Sequence, residues 1–254
     1  SNLLEPMANN KRKSTEIVKN SSKQVKKSFQ YGNYDRYYGY RNLDRSVLDE
    51  RLQTFQKYVG LFKNKSVLDI GCNTGIITIG VAKTLEPKSI IGIDIDGSLI
   101  DSARKSIQFE RKTSENDEYL KNITFRKANY VFDDENLLEM ETQQFDVILC
   151  LSVTKWIHLN FGDDGLKLAF KRMYRQLNSN GILILEPQSY QSYKRRKKLT
   201  PKIYEHFKNM QFYPKQFSEY LLSSEIGFIS CEEMKLIKNS NTGFQRPILI
   251  YRKK

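Results

Sequence analysis

The sequence predicts an α/β fold built on a doubly wound parallel sheet. Two observations predict it. From Lys65 onward, short β-branched runs alternate with helical patterns, as strands that need crossover helices to stay parallel do. A glycine-bearing turn also lies between the first strand and the first helix, where such sheets bind ligands at the carboxyl ends of their strands. The 254 residues suit one domain with additions.

The elements follow in order. Ser66–Ile70 reads as a buried strand and residues 74–84 as a helix. Ser89–Asp94, rich in isoleucine, is a second strand, and residues 97–111 a second helix. Ile123–Lys127 is a weaker third strand. Phe145–Leu151 is a strong fourth, and residues 166–177 form a helix with apolar positions at helical spacing. Residues 181–186 are a fifth strand, and residues 227–234 and 245–251 two late ones. Two stretches break the alternation, 29–51 and 188–223, and read as additions covering the ligand edge.

Charge narrows the partners. Lys and Arg number 42 against 29 Asp and Glu, a net +13, so a polyanion is the expected partner. Residues 1–28 carry seven Lys/Arg and two Glu and few apolar side chains. They read as a disordered basic tail, with Ser1 to Pro6 an expression scar before Met7, and residues 29–254 as the folded domain. Three distant cysteines (Cys72, Cys150, Cys231) without a CxxC pair argue for a reducing compartment and against a structural zinc. His158 and His206, the only histidines, lack partners at metal spacing, so no metal is expected. No apolar run is long enough to span a membrane, and no secretory signal is evident.

The first site is a nucleotide-type pocket. Val67-Leu68-Asp69-Ile70-Gly71-Cys72-Asn73-Thr74-Gly75 leaves the first strand and opens the first helix. Glycine lets backbone turn tightly and approach a ligand. Nineteen residues after Gly75, Asp94 ends the second strand, where a carboxylate accepts from ribose hydroxyls. The spacing D-x-G-x-N-x-G departs from the dinucleotide fingerprint. It favours S-adenosyl-L-methionine (SAM), with no phosphate to cradle, over NAD. Asp69 reads equally as a loop-orienting carboxylate. Asn129 and Tyr130 follow the third strand at an adenine-type position, with core packing the alternative for Tyr130. After the fourth strand, Lys155 reads as a cation that could grip a phosphate, and His158 as structural rather than a general base.

Aromatics and cations gather from three segments. Residues 29–41 (FQYGNYDRYYGYR) hold six aromatics in thirteen positions. Lys194-Arg195-Arg196-Lys197-Lys198 follows Tyr190 and Tyr193, and Phe244 and Arg246 lie in Gly243-Phe244-Gln245-Arg246-Pro247 at the start of the last strand. Aromatics beside cations suit base stacking with phosphate binding.

With these segments assembled, the chain closely resembles the Bin3 family of RNA 5′-phosphate methyltransferases. The matching blocks are FQYGNYDRYYGYR (29–41), VLDIGCNTG (67–75), GIDIDGSLI (92–100), VILCLSVTKWIHLNFGDDG (147–165), GILILEPQ (181–188) and GFQRP (243–247). The resemblance implies a Rossmann-like SAM-dependent methyltransferase fold, a doubly wound, mostly parallel seven-stranded sheet with the last strand antiparallel. It also implies transfer of a methyl group to the γ-phosphate of an RNA 5′-triphosphate, with S-adenosyl-L-homocysteine (SAH) as product. By motif it places SAM contacts on Tyr38, Arg51, Gly71, Cys72, Asn73, Asp94, Ile95, Asn129, Tyr130 and Leu151. It places catalytic contacts with the phosphate on Tyr37, Lys155, Gln245 and Arg246, and substrate contacts on Arg41, Phe244 and Glu186. The implied partners are a small non-coding RNA of the polymerase III type and a La-related protein in an RNP. The implied location is nuclear, with a cytoplasmic pool open. Two alternatives stay open: a 5′-monophosphate RNA methyltransferase, and an RNA-binding RNP subunit with secondary catalysis.

Overall fold

The computed structural model describes residues 29–34, 48–237 and 246–254. The basic tail and five of the residues singled out above (Tyr37, Tyr38, Arg41, Phe244 and Gln245) lie outside them.

Seven strands form one sheet in the order β3-β2-β1-β4-β5-β7-β6. They are β1 (Ser66–Ile70), β2 (Ser89–Asp94), β3 (Ile123–Lys127), β4 (Phe145–Leu151), β5 (Leu177–Glu186), β6 (Ser230–Glu233) and β7 (Leu249–Arg252). β1 to β5 are mutually parallel, and β7 pairs antiparallel with β5 and β6. The helices are α1 (Glu50–Gln56), α2 (Ile76–Leu85), α3 (Gly97–Thr113), α4 (Thr154–Gln176), α5 (Tyr190–Lys194), α6 (Pro201–Asn209) and α7 (Phe217–Leu222).

Strand residues alternate between two cores, because successive side chains point to opposite faces. Val67, Ile90, Val147 and Ile184 face α1 and α2 through Leu52, Phe55, Val81 and Leu85. Leu68, Ile148, Leu183 and Tyr251 face α4 and α7 through Leu166, Phe170, Met173 and Phe217. β1 and β4 are nearly apolar runs because both of their faces are covered.

The structure corrects several sequence boundaries. Gly75 sits at φ +81°, a non-helical conformation, so α2 begins at Ile76 rather than at residue 74. The helix expected at 166–177 is only the second half of α4, which starts directly after β4 at Thr154. Gly162 kinks it (φ +72°), and the Asp163 carboxylate at the kink accepts from Gln211 and Phe212 backbone N–H groups at 2.7 and 3.0 Å. β5 starts earlier than expected, at Leu177, and the two late strands are shorter.

Residues 188–223 reach the ligand edge at their start, where Ser192 meets Lys155 and Arg196 lies over Tyr34, and the rest of them pack on α4. Leu159 of α4 packs with Tyr193, Ile203 and Met210 in a small separate core, and Phe212 and Phe217 stack edge-on against Phe170. Apolar faces therefore lean this addition against α4. Tyr193, grouped above with the basic run, is fully buried there and offers no face for stacking on a base.

Phe170 is fully buried and meets Phe212, Phe217 and Tyr220. Phe170→Ala is expected to lower stability by about 3–5 kcal/mol, read as a shift in the denaturant midpoint.

Candidate functional site

The carboxyl ends of β1, β2 and β4 meet in one cleft of about 910 Å³ of non-atom space, part of it open solvent. The β1–α2 loop is its floor. Gly71 is at φ +70°, and a Cβ there would lie 2.4 Å from the Val153 side chain, so only glycine lets this loop touch the β4–α4 loop. Gly71 and Cys72 N–H groups donate to the Ile93 carbonyl at 2.8 and 2.9 Å. The Asn73 N–H donates to Asp94 Oδ2 at 2.9 Å, and the Asp96 N–H to Asp94 Oδ1 at 3.0 Å. Burial pushes the Asp94 carboxyl up, and these two donors pull it back. Asp69 is buried and accepts from Thr78 Oγ1 at 2.6 Å; burial raises it to about 6.

Residues 29–34 form a strap along the cleft. Three asparagine amides fasten it: Asn160 to the Gln30 carbonyl (2.8 Å), Asn73 to the Tyr34 carbonyl (3.0 Å), and Asn33 to Asp96 Oδ2 (2.7 Å). Gly32, at φ +68°, lies flat on Trp156, where a Cβ would fall 2.1 Å from the indole nitrogen.

A buried polar chain runs beside the cleft. Asp49 caps α1 and grips Arg51 through two bonds of 3.0 Å. Arg51 Nη1 reaches Glu186 Oε1 at 3.4 Å, Ser152 Oγ donates to the same oxygen, and Arg246 Nη1 donates to Ser152 Oγ at 2.7 Å. Ser152 itself sits at φ +60°. Antiparallel pairing of β7 with β5 delivers Arg246 to this edge, since Leu249 already lies opposite Leu185.

Lys155, the cation expected at the ligand edge, is only 6 % exposed. Its Nζ donates to Ser192 Oγ at 2.6 Å and lies 4.4 Å from the centre of the Trp156 ring. No carboxylate forms an ion pair with it among the described residues. Burial first, then Arg246, Arg196 and Arg195, bring its pKa down to about 7. The first turn of α4 is capped from outside, as Gln188 Oε1 accepts from the Lys155 N–H and Thr154 Oγ1, both at 3.0 Å. His158 is fully buried between Asp163 Oδ1 (2.6 Å) and Tyr193 OH (3.2 Å), away from the cleft lining.

The cleft wall brings together Arg51, Gly71, Cys72, Asn73, Asp94, Ile95, Asn129, Tyr130 and Leu151. Glu186, Lys155 and Arg246 stand just outside it, tied to the wall residues Ser152 and Trp156. Tyr130 faces both ways, lining the cleft while its hydroxyl donates to Gln176 Oε1 at 2.8 Å. Sequence reasoning passed over Asn33, Ser152, Trp156 and the cap Gln188. All four sit inside blocks quoted for the resemblance, yet none is a charged or glycine position that signals a site by itself. Among the described residues no cluster of three or more His, Cys, Asp or Glu could hold a metal ion, and no helix is long and apolar enough to cross a membrane.

A family model described as Bicoid-interacting protein 3 (Bin3) matches residues 145–253, and a methyltransferase-domain model matches residues 68–183. The chain is 49% identical over 226 residues to the U6 snRNA methylphosphate capping enzyme Amus of Drosophila melanogaster, covering 89% of this chain and 75% of that one. It belongs to the Bin3 family. The 7SK snRNA methylphosphate capping enzyme of Homo sapiens is 38% identical over 91% of this chain, which spans 40% of the human protein. The pre-miRNA 5′-monophosphate methyltransferase of Xenopus laevis is 30% identical over 71% of this chain and 76% of its own. A SAM-dependent methyltransferase from Archaeoglobus fulgidus, at 15% identity and a TM-score of 0.53, shares the fold over 85% of this chain and 99% of its own. The Bin3 chain is thus a Rossmann-like, SAM-dependent methyltransferase.

Removing Arg51 would leave Asp49 and Glu186 as buried carboxylates without their shared cation. Arg51→Met is expected to destabilise the fold by about 3–5 kcal/mol at neutral pH, measured by chemical denaturation.

Proposed function

We propose that this chain methylates the γ-phosphate of a 5′-triphosphate on a small non-coding RNA, with SAM bound in the cleft. One observation carries the phosphate half of this reading: a buried lysine that has no ion-pair carboxylate among the described residues, set among Arg195, Arg196 and Arg246 beside the cleft. A cation cluster that must be desolvated in the free protein is a site built for an anion.

The cleft residues fit SAM. Asp94 offers a carboxylate to ribose hydroxyls, while Ile95, Ala128 and Val131 offer apolar contact to a flat base beside Asn129. Asp69 and Arg51 stand further along the wall, with Asp69 suited to an ammonium group. Bound there, SAM supplies an electrophilic methyl group on a sulfonium.

The protein's part is positioning and charge balance. A terminal phosphate is largely ionised near neutral pH, with its second pKa at about 6, so its oxygen needs no general base. A C–O bond forms as the C–S bond breaks, and SAH leaves. Lys155 and Arg246 would hold the other phosphate oxygens so that one lone pair points along the line of attack. Tyr37, Arg41, Phe244 and Gln245 join this grip by motif. The reading extends to retention of the RNA in an RNP with a La-related protein, and to a nuclear location. The snRNA-directed names of the Drosophila and human relatives support the location, and co-purification from nuclear extract tests the partner.

Labelled SAM and matched RNAs with 5′-triphosphate, monophosphate or hydroxyl ends test the proposal. Label on the triphosphate RNA alone is expected. Label favouring the monophosphate end transfers the chain to the activity named for the Xenopus relative, and label on the hydroxyl end defeats phosphate methylation altogether.

Lys155→Ala and Arg246→Ala are each expected to slow methyl transfer by a factor of about 100 or more while leaving SAM affinity unchanged, which calorimetry checks. Loss of SAM binding in both would remove them from the phosphate grip.

Binding of the phosphate end should also be linked to protons. With Lys155 titrating at about 7 in the free protein, an incoming anion raises its pKa again. Above pH 7 binding therefore takes up as much as one proton, and affinity falls as pH rises. Titration at pH 8 in two buffers of different ionisation enthalpy should show this uptake with wild-type protein and not with Lys155→Met.

A further inference from the structure

We propose that residues 190–215 are a docking surface for the sugar–phosphate backbone of the RNA beyond its 5′ end. The inference rests on the reading that Lys155 grips the phosphate end of that RNA.

Charge is the first observation. Residues 190–215 hold eight Lys and Arg and one acidic residue, Glu205. With residues 1–28 they carry twelve of the thirteen net positive charges, so the remainder of the chain is close to neutral. Lys194, Lys198, Lys202, Lys208 and Lys215 are exposed. None of the eight cations forms an ion pair among the described residues. Elsewhere on the surface, Lys63, Lys83, Lys121 and Lys171 each meet a glutamate. Unpaired like charges gathered on one addition repel one another, and a polyanion relieves that repulsion.

Position is the second observation. The addition starts beside the cleft, where Ser192 accepts from Lys155 Nζ at 2.6 Å. The Arg196 guanidinium lies 5.6 Å from the centre of the Tyr34 ring on the strap. The chain then continues through Lys197 and Lys198 into α6. An RNA whose first phosphates lie at Lys155 has its following phosphates beside this addition.

The rings say which part of the RNA is met. Tyr190 stacks on Phe207 (5.7 Å between centres, 7° between planes) and meets Tyr213 edge-on. Lys194 lies over the Tyr190 ring at 5.2 Å, Lys197 over Phe207 at 5.0 Å and Lys208 over Tyr204 at 5.0 Å. Base stacking uses free ring faces, and here the rings are engaged by one another or by ammonium groups. The surface offers point charges, which hold a backbone without reading sequence. An acidic protein segment and an anionic membrane are the rival polyanions, and continuity with the phosphate grip favours RNA.

The test combines Lys194→Gln, Lys198→Gln, Lys202→Gln and Lys208→Gln in one variant. Lys63→Gln, Lys83→Gln, Lys121→Gln and Lys171→Gln make a control of equal charge. Each is measured against a 5′-triphosphate hairpin and the 5′-triphosphate dinucleotide that begins it. In the first variant hairpin Kd is expected to rise by a factor of about ten or more, and the plot of log affinity against log salt to become shallower by about one unit per lysine in contact. Affinity and kcat/KM for the dinucleotide should stay as in wild type. Unchanged hairpin affinity and salt slope would overturn the inference. So would an equal loss in the control, which would mean bulk charge alone, or an equal loss on the dinucleotide, which would put these lysines at the 5′ end. Tyr204→Ala should leave hairpin affinity unchanged, and a loss as large as that of the lysines would mean base stacking and count against the proposal. Wild-type protein gives an answer without substitution, by mass spectrometry after chemical acetylation. The hairpin, and not the dinucleotide, should protect Lys194, Lys198, Lys202 and Lys208. Protection by an acidic peptide or by phosphatidylserine vesicles, with none by the hairpin, would overturn the inference in favour of another partner. Wild-type protein that binds the hairpin and methylates neither RNA defeats the proposed reaction, a result distinct from all of these.

Discussion

The carboxyl edge of the sheet is held by a buried chain of charge and hydroxyl: Asp49, Arg51, Glu186, Ser152 and Arg246. It joins the N-terminus of α1, the end of β5, the loop after β4 and the approach to β7. A guanidinium held by two carboxylates neutralises groups that could not be buried singly. The hydroxyl between Glu186 and Arg246 then passes the alignment on to a second cation. Segments far apart in sequence are thereby fixed beside one cleft.

The edge is divided electrically. Asp69, Asp94 and Asp96 cluster at the ends of β1 and β2, while Lys155, Arg195, Arg196 and Arg246 gather past the end of β4. For the proposed reaction this division has a use. A positively charged methyl donor lies on the carboxylate side and a polyanionic acceptor on the cationic side. The like charges around Lys155 are unfavourable until an anion arrives, so the free site is preset for an acceptor with phosphates. Positive φ at Asn73 and Ser152, both non-glycine, falls at the same edge. Strained backbone tends to collect where ligands are clamped.

Periodicity made the sheet readable. β1 to β4 and the glycine turn occur where β-branched runs and spacing placed them, because strands buried on both faces have little choice of residue. Wall residues such as Gly71, Asn73 and Asp94 were legible because turn geometry and a strand-end carboxylate leave local marks. Boundaries at α4 were less legible. The start of that helix is apolar and aromatic like a strand end, and its cap, Gln188, comes from the loop after β5. How residues 188–223 attach was not legible, because charge marked their surface while Leu159, Tyr193, Ile203 and Met210, which anchor them to α4, carry no local signal of their partners.

The sequence by itself determined the sheet, the SAM-type turn, the family and the excess of cations. Each depends on local pattern or on residue identity. Only the tertiary structure decided that Lys155 is buried beside Ser192, that Arg246 hangs from Ser152, and that Asn33 fastens the strap to Asp96. Burial and hydrogen-bond partnership are set by residues 30 to 140 positions away in the chain, and no local pattern encodes which of them arrive.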